Sequence, residues 1–374
     1  MTVFVTGTTG FLGRYLAQGL LAQGEDLVLL VRGASRPHAE ERAREALAWL
    51  DESLAKEVGG RVRVCPGDLD RPGLGLSPED RALVIERCDS FLHCGASVRF
   101  DLPIEAARAV NVEGTRAVLD LARERARRGD LARIDHVSTC YVAGDRRDVV
   151  AEDELQDGVA HRNTYERTKF EAEHMIREAR EELPIAVHRP SIVVGESDFG
   201  RTSNFNTLYW PLKIYAQGYW RTLPGSSSTP VDIVPVDFVR DALLALRRDP
   251  GTLGGTFHLA AGLDGATTIR EVLALMHAHF PERRPVRVVD PGWWLRGAHP
   301  VLKRLSFGRF RRFLETLEVY IPYFLGNPRF DNTDARRFLA ESGILAPSVA
   351  SYFGRLVAYC VETGWGGDAD PASH

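Results

Sequence analysis

The chain has 374 residues, of which 44% are hydrophobic, so it can bury a large core and is expected to form two domains or one large domain with an appended lobe. Its formal net charge of −4 gives no overall reason to expect nucleic acid as a partner. The five cysteines include no C-x-x-C pair, and the sequence shows neither a signal peptide nor an apolar run long enough to cross a membrane, so we expect a cytoplasmic protein with reduced thiols and no metal site.

Short β-branched runs alternate with longer helical patterns through the first half of the chain. The predicted strands are residues 2–6, 26–32, 61–65, 90–94, 133–138 and 185–189. The predicted helices cover residues 11–23, about 38–56, 78–87, 104–127 and 160–182. This alternation is typical of parallel β–α–β units, and right-handed crossovers then predict an α/β fold with a doubly wound parallel sheet of the Rossmann type.

The segment TGTTGFLG, residues 6–13, joins the first predicted strand directly to the first predicted helix. Gly7 permits a sharp turn, Gly10 lets the backbone approach a pyrophosphate, and Gly13 allows the helix to pack closely on the strand. The N-terminus of that helix offers N–H groups and a positive partial charge to an anion. The position of the motif therefore favours a dinucleotide site over a simple tight turn. The loop residues assigned to the cofactor are Gly7, Thr9, Gly10, Phe11, Leu12 and Gly13.

The end of the second strand distinguishes NAD from NADP. Sites that prefer NAD usually carry an acid there, whereas this chain has Arg32. A guanidinium pairs bidentately with a 2′-phosphate, so the sequence favours NADP(H). Arg42, on the next helix, is a second candidate contact, although a solvated helix face explains it equally well. Further cofactor contacts are predicted after later strands, at Asp68, Leu69, Cys94, Gly95, Ala96, Pro190, Ser191 and Ile192.

Tyr165 and Lys169 lie one turn apart, on the same face, if residues 160–182 form a helix. Only four of the 47 basic residues are lysines, so a lysine at this position is unexpected. A tyrosine is a poor acid–base group at neutral pH unless a positive charge stabilises its phenolate. The compact ammonium of lysine can do this while also bonding the nicotinamide ribose, and the broad guanidinium of arginine has a different shape. We therefore expect Tyr165 to donate a proton and Lys169 to be its electrostatic partner and a cofactor contact.

A hydroxyl at the carboxyl end of the fifth strand is expected to complete this catalytic set. Ligands bind at the carboxyl ends of the strands in open α/β sheets, so a side chain there points into the binding crevice. Thr139 is the candidate that would hold the substrate oxygen, and Ser138 is the alternative.

Together these motifs resemble the extended short-chain dehydrogenases/reductases over residues 2–260. The segments that carry this resemblance are TGTTGFLG, GDL (67–69), HCGA (93–96), NVEGT (111–115), HVST, Tyr165 with Lys169, RPSIVVG (189–195) and VPVD (234–237). Narrower features are similar to the thioester reductase and fatty acyl-CoA reductase group. These are LVR at the end of strand two, PGDLDRPGLGLSPED (66–80), NTYERTKFEAE (163–173) and YIPYFLGNPRFDNTDARRFL (320–339).

The resemblance implies that NADPH reduces an acyl thioester to an aldehyde, and in some members to an alcohol. Many relatives follow adenylation and carrier domains, but this chain begins at its first strand, so we expect the thioester to arrive as acyl-CoA or on a separate acyl-carrier protein. Two other functions stay open. One is an epimerase, dehydratase or hydroxysteroid-type dehydrogenase of the same extended class, and the other is a non-catalytic NADP-binding sensor.

Residues 291–313 hold six arginines or lysines and no acid, interleaved with aromatic residues. Three interpretations are open: a helical lid, a peripheral membrane contact that feeds acyl substrates, and a docking face for an acidic carrier protein or the phosphates of CoA. The predicted organisation is an NADP-binding domain over 1–195 with a strand and a helix returning to it near 231–260, a smaller and mostly helical substrate-binding lobe over 196–366, and a disordered tail over 367–374.

Overall fold

The computed structural model describes residues 1–129, 131–205, 208–298, 304, 318 and 320–366. The strands are Thr2–Thr6 (β1), Asp26–Val31 (β2), Val62–Pro66 (β3), Ser90–His93 (β4), Arg133–Val137 (β5), Val149–Val150 (β6), Ile185–Pro190 (β7), Ile192–Val194 (β8), Thr222–Pro224 (β9), Pro230–Val231 (β10), Ile233–Pro235 (β11), Thr256–Leu259 (β12), Thr267–Thr268 (β13), Arg287–Val289 (β14) and Arg329–Phe330 (β15). The helices are Phe11–Ala22 (α1), Arg36–Ala48 (α2), Glu52–Ala55 (α3), Pro78–Arg87 (α4), Ile104–Arg108 (α5), Gly114–Arg128 (α6), Thr164–Ala179 (α7), Tyr209–Ala216 (α8), Val236–Arg248 (α9), Ile269–His279 (α10), Pro291–Trp293 (α11), Thr333–Leu339 (α12) and Val349–Glu362 (α13).

The main sheet has seven strands in the order β12-β7-β5-β4-β1-β2-β3, and every pairing in it is parallel. The chain runs outward from β1 through β2 to β3, and it then crosses back to β4 on the other side of β1. This reversal of strand order between β1 and β4 opens the crevice in which ligands bind in doubly wound sheets. The predicted α/β fold with a Rossmann-type sheet is confirmed.

Alternate residues of the central strand β1 face two different layers of helices. Val3 and Val5 pack with residues of α1, α2 and α9 on one face. Phe4 packs with residues of α4, α6 and α7 on the other face. Because both faces of the sheet are covered, its strands consist almost entirely of buried residues, as the apolar runs in the sequence predicted.

The later part of the chain contributes both to the main sheet and to a second core. β12 adds to the β7 edge of the sheet, and α9 packs against α1. A separate hydrophobic cluster joins α8, α10 and α13, with Tyr209, Met276 and Phe353 among its buried residues. This cluster supports the residues that reach the central crevice from the second half of the chain.

Two predicted helices are interrupted in the structure. The helix expected over 38–56 divides between α2 and α3 because the Asp51 side chain accepts a hydrogen bond from the backbone of Ser53 and begins a new helix there. The helix expected over 104–127 contains a π-turn at Ala109–Glu113 between α5 and α6. That turn buries Asn111, which hydrogen-bonds the backbone of Ser97 in the loop after β4.

Most of the basic aromatic segment 291–313, namely 299–303 and 305–313, lies outside the described residues. Its interpretations as a lid, a membrane contact or a docking face therefore stay predictions. In its described part, Trp294 is buried and packs with Ile321. The predicted disordered tail, 367–374, also lies outside the described residues. Within the part of the chain that the structure describes, no helix combines the length and the apolar character needed to cross a membrane.

Candidate active site

A cavity of about 1600 Å³ lies at the carboxyl ends of the central strands. Its wall is formed by the loops that follow β1, β2, β3, β4, β5 and β7, as expected for a doubly wound sheet. Every residue predicted from the sequence to bind the cofactor or to act in catalysis lies on this wall. These residues are Gly7, Thr9, Gly10, Phe11, Leu12, Gly13, Arg32, Arg42, Asp68, Leu69, Cys94, Gly95, Ala96, Thr139, Tyr165, Lys169, Pro190, Ser191 and Ile192.

The glycine loop packs so closely against neighbouring backbone that a side chain at Gly7 or Gly13 would not fit. Gly7 has φ +83°, and a Cβ atom there would lie 2.6 Å from the backbone nitrogen of Gly95. A Cβ at Gly13 would lie 2.0 Å from the carbonyl oxygen of Gly7. The first turn of α1 lines the cavity with Phe11, Leu12 and Gly13, and the N-terminus of a helix favours a bound phosphate. This backbone cradle fits the pyrophosphate of a nicotinamide dinucleotide.

Thr6 and His93 join the loops on the two sides of the strand-order reversal. The Thr6 hydroxyl oxygen accepts a hydrogen bond from the backbone N–H of Gly95 at 3.0 Å and lies 2.7 Å from Nδ1 of His93. Both side chains are buried. Neither was assigned a function from the sequence, although Thr6 begins the segment TGTTGFLG and His93 begins the segment HCGA.

Arg32 and Arg42 lie together at the end of the cavity next to β2. Arg42 donates a hydrogen bond from Nη1 to the carbonyl oxygen of Arg32 at 2.7 Å. The Arg32 side chain is exposed and Arg42 is partly buried. Arg42 therefore holds the backbone that presents Arg32 and places a second positive charge beside it.

Thr139, Tyr165 and Lys169 converge in the middle of the cavity wall. The helix α7 begins just before Tyr165, because the side chain of Asn163 accepts a hydrogen bond from the backbone N–H of Glu166 at 2.9 Å. One turn later, Lys169 is buried and its Nζ donates a hydrogen bond to the Val137 carbonyl oxygen at 2.8 Å.

The pKa of Tyr165 differs from the expectation drawn from the sequence. Burial raises the pKa of its phenol, and a hydrogen bond with Thr139 lowers that pKa only in part. The Lys169 ammonium donates a hydrogen bond to the Val137 carbonyl oxygen, and burial rather than this charge sets the direction of the pKa shift of Tyr165. The role of Lys169 as electrostatic partner of Tyr165 stays a prediction. The consequence is that Tyr165 is protonated at neutral pH, which is the form that a proton donor requires.

Burial also lowers the pKa of Lys169, to about 8, and the nearby Cys94 and Glu173 act in the opposite direction. Lys169 is therefore mainly protonated at pH 7 and loses its charge as the pH rises through about 8. The ammonium that we assign to the site is present at neutral pH.

Thr139 and the alternative candidate, Ser138, have different hydrogen-bonding partners in the structure. The hydroxyl of Ser138 donates a hydrogen bond of 2.6 Å to Glu173, which also pairs with the buried Arg189. The Thr139 hydroxyl makes a long contact of 3.4 Å with the carbonyl oxygen of Pro190 and a hydrogen bond with Tyr165. Ser138 is thus part of a buried ionic network, while Thr139 faces the tyrosine.

Part of the cavity wall carries aromatic side chains that were not assigned to the site from the sequence. The ring of Phe100 stacks on Tyr165 at 6.0 Å and on Tyr323 at 6.0 Å. The rings of Trp210 and Tyr320 stack at 5.4 Å with an interplanar angle of 11°. Apart from Tyr165, these residues come from three distant parts of the chain, near residues 100, 210 and 320, so local spacing does not bring them together.

Tyr323 ties the C-terminal part of the chain to the first turn of α7. Its hydroxyl donates to Glu166 at 2.6 Å and accepts from the side-chain amide of Asn163 at 2.7 Å. The guanidinium of Arg162 lies over the Tyr323 ring, 4.9 Å from its centre, and 3.5 Å from the Glu166 carboxylate. This arrangement holds one wall of the cavity against the helix that carries Tyr165 and Lys169.

The fold and the glycine loop are those of the extended short-chain dehydrogenase/reductase class. Residues 5–243, which are more than half of the chain, match the family model described as male sterility protein. The chain therefore belongs to that family, in the thioester reductase and fatty acyl-CoA reductase group of extended short-chain dehydrogenases/reductases.

Three known proteins illustrate the relationship. Fatty acyl-CoA reductase wat of Drosophila melanogaster is 28% identical over 279 residues, covering 65% of this chain and 53% of the relative. Human fatty acyl-CoA reductase 1 is 30% identical over 281 residues, with the same coverage of 65% and 53%. The chain thus spans about half the length of these curated relatives. The crystal structure of the terminal R domain from the myxalamid PKS-NRPS biosynthetic pathway superposes with a TM-score of 0.83 and 29% identity, covering 97% of this chain and 91% of that domain.

Proposed function

We propose that this protein is an NADPH-dependent reductase of an acyl thioester, either acyl-CoA or a thioester on a separate acyl-carrier protein, and that it releases an aldehyde or an alcohol. The observation that carries the proposal is the convergence of Thr139, Tyr165 and Lys169 on the wall of the same cavity that contains the glycine loop. Membership of a family that includes fatty acyl-CoA reductases supports the choice of substrate.

The preference for NADPH rests on the charges beside β2. Arg32 and Arg42 place two guanidinium groups at the cavity end where the adenosine ribose would lie, next to the glycine loop. A guanidinium attracts a 2′-phosphate strongly and gains little from a bare hydroxyl. When bound, NADPH would supply the hydride that the thioester carbonyl carbon accepts.

The residues of this chain then stabilise the negative charge on the carbonyl oxygen and supply protons. The hydroxyls of Thr139 and Tyr165 donate hydrogen bonds to that oxygen as it becomes negative. The C–S bond breaks as the carbonyl reforms, and the leaving thiolate takes up a proton, so the net change consumes one proton per hydride. If the aldehyde is reduced further, the phenol of Tyr165 donates its proton to the alkoxide, and the nearby Lys169 ammonium stabilises the phenolate left behind.

A covalent acyl-enzyme is not needed for this reaction, because a thiolate with a pKa near 8.5 is already a good leaving group. Cys140, next to Thr139 in the chain, is completely buried, and its sulfur lies 2.9 Å from the carbonyl oxygen of Arg189. Burial also raises the pKa of the Cys140 thiol, so it stays protonated and is unsuited to nucleophilic attack. Cys140 is a core residue.

The experiment is to mix the purified protein with NADPH and a panel of acyl-CoAs and acyl-carrier proteins, and to follow nicotinamide absorbance while mass spectrometry identifies the products. We expect thioester-dependent oxidation of NADPH with release of free thiol. The Tyr165→Phe variant should lose roughly 10²-fold or more in kcat, with little change in the Kd for NADPH.

Two results would replace the proposal with another function. Turnover of a ketone or a nucleotide sugar, with no reaction of any thioester, would identify an alcohol dehydrogenase, epimerase or dehydratase of the extended class. NADPH binding without turnover of any substrate, and with no effect of Tyr165→Phe on the protein's biological function, would identify a sensor.

A further inference from the structure

His136 is a buried residue that contacts Lys169 and that the proposed reaction does not use. It lies on β5, beside Val137, and its side chain has no exposed surface. Its Nε2 atom is 3.4 Å from Nζ of Lys169, while the Val137 carbonyl oxygen is 2.8 Å from the same Nζ. Two consecutive residues of one strand thus contact the ammonium from the sheet side.

The hydrogen-bonding partners determine which nitrogen of His136 carries the proton. An ammonium can only donate hydrogen bonds, so Nε2 of His136 must accept, and the ring proton must reside on Nδ1. Among the described residues, Nδ1 has no hydrogen-bond partner. Burial, reinforced by the charge of Lys169, lowers the pKa of His136 well below its usual value. The ring is therefore neutral and presents a lone pair to Lys169.

The neighbouring His93 is fixed in the opposite tautomer. The Thr115 hydroxyl donates to the carbonyl oxygen of Asn111 at 2.7 Å, so Nε2 of His93 must donate to Thr115 at 3.0 Å. Nδ1 of His93 then accepts from the Thr6 hydroxyl at 2.7 Å. Burial lowers the pKa of His93 to about 3. The ring centre of His93 lies 5.3 Å from that of His136. Because both ring nitrogens of His93 are hydrogen-bonded to threonines, neither is available to Lys169.

We propose that His136 is a positioning residue for Lys169: its lone pair and the Val137 carbonyl occupy two of the three ammonium N–H groups, and the third is thereby directed into the cavity, toward Tyr165. The inference rests on the proposed catalytic role of Lys169. It goes further by assigning the orientation and the charge of that lysine to a histidine outside the Thr139–Tyr165–Lys169 set.

Other titratable groups also influence the pKa values of Lys169 and His136. Cys94, after β4, and Glu173, one turn along α7, both raise the pKa of Lys169. On the side of His136, burial is the main cause of the lowered pKa of the imidazole, and the charges of Lys169 and Arg180 act in the same direction.

The His136→Phe variant keeps a ring of similar size but removes the lone pair. One ammonium N–H then loses its acceptor, so the protonated form of Lys169 becomes less stable. We expect the alkaline decline of kcat/KM for NADPH to move to lower pH by about one unit, the effect of losing a hydrogen bond to a charged group. The His136→Gln variant offers an amide oxygen as acceptor, and we expect it to restore most of the shift.

The Lys169→Met variant separates this inference from the proposed function. If Lys169→Met retains wild-type activity, the proposed function fails. If Lys169→Met is inactive but His136→Phe has the wild-type pH profile, the positioning role fails while the proposed function stands. An equal shift in His136→Phe and His136→Gln would also overturn it, because the acceptor would then be irrelevant.

Nitrogen NMR of the histidine-labelled wild-type protein gives a second test that needs no variant at position 136. We expect His136 to carry its proton on Nδ1 and His93 to carry its proton on Nε2, both neutral from pH 6 to 8. A proton on Nε2 of His136 would place two donors face to face and would overturn the proposal.

Discussion

Replacing Gly7 with alanine tests whether the glycine loop forms the cofactor cradle. Gly7 has φ +83°, a left-handed conformation that costs a residue with a side chain about 1–2 kcal/mol. The added Cβ would also lie 2.6 Å from the nitrogen and 2.7 Å from the Cα of Gly95, so the loop after β4 would have to move. Overpacking of this kind typically costs about 1–3 kcal/mol more.

Gly24 provides a matched control for the backbone strain alone. It has φ +86°, but a Cβ atom there would have nothing within 4 Å. We therefore expect Gly24→Ala to lower the unfolding free energy by about 1 kcal/mol, since the loss of unfolded-state entropy offsets part of the strain. Gly7→Ala should lower it by about 2–4 kcal/mol, the sum of the strain and overpacking costs after the same entropy offset.

The measurements are urea denaturation of both variants and titration of NADPH by fluorescence. The Kd for NADPH should rise at least about tenfold in Gly7→Ala, because the moved loop closes the cradle, and should not change in Gly24→Ala. Equal losses of stability in the two variants, together with unchanged NADPH binding in Gly7→Ala, would refute the role of the glycine loop as the cofactor site.

Three further predictions follow from the charges around the site. Since the pKa of Lys169 is lowered to about 8, its ammonium is present below that pH, and kcat/KM for NADPH should fall as the pH rises through about 8; a flat profile to pH 9.5 would contradict this. Arg32→Glu should lower kcat/KM for NADPH by roughly 10- to 100-fold while changing that for NADH little, and parallel losses for both cofactors would show that Arg32 does not read the 2′-phosphate. Tyr323→Phe removes the donor to the buried Glu166 and should lower the unfolding free energy by about 1–3 kcal/mol in urea denaturation, whereas Tyr219→Phe, at a tyrosine that is 73% exposed, should not change it.

Features encoded by neighbouring residues were predictable from the sequence. Short runs rich in apolar and β-branched residues identified the strands of the main sheet, because a parallel sheet covered on both faces buries almost every strand residue. The glycine loop was predictable because its function depends on the backbone of eight consecutive residues. Tyr165 and Lys169 were predictable as a pair because a helix places residues four apart on one face.

The surroundings of these residues were decided by contacts between distant parts of the chain. The hydrogen bond from Tyr323 to Glu166 joins residues 157 positions apart, and the contact of Lys169 with His136 joins residues 33 positions apart. A histidine inside a strand and a tyrosine near the C-terminus look like core residues until the fold brings them to the site.

The pKa of Tyr165 could not be predicted from the neighbouring residues in the sequence. The spacing of Tyr165 and Lys169 suggested that the lysine lowers the pKa of the tyrosine, but burial raises it, and the lysine is held against β5. The sequence by itself determined the glycine loop and the Tyr165–Lys169 pair in the crevice, because strand ends and helix periodicity are local properties. Only the tertiary structure decided their charge states and orientations, because desolvation and hydrogen bonding depend on everything that packs around a group.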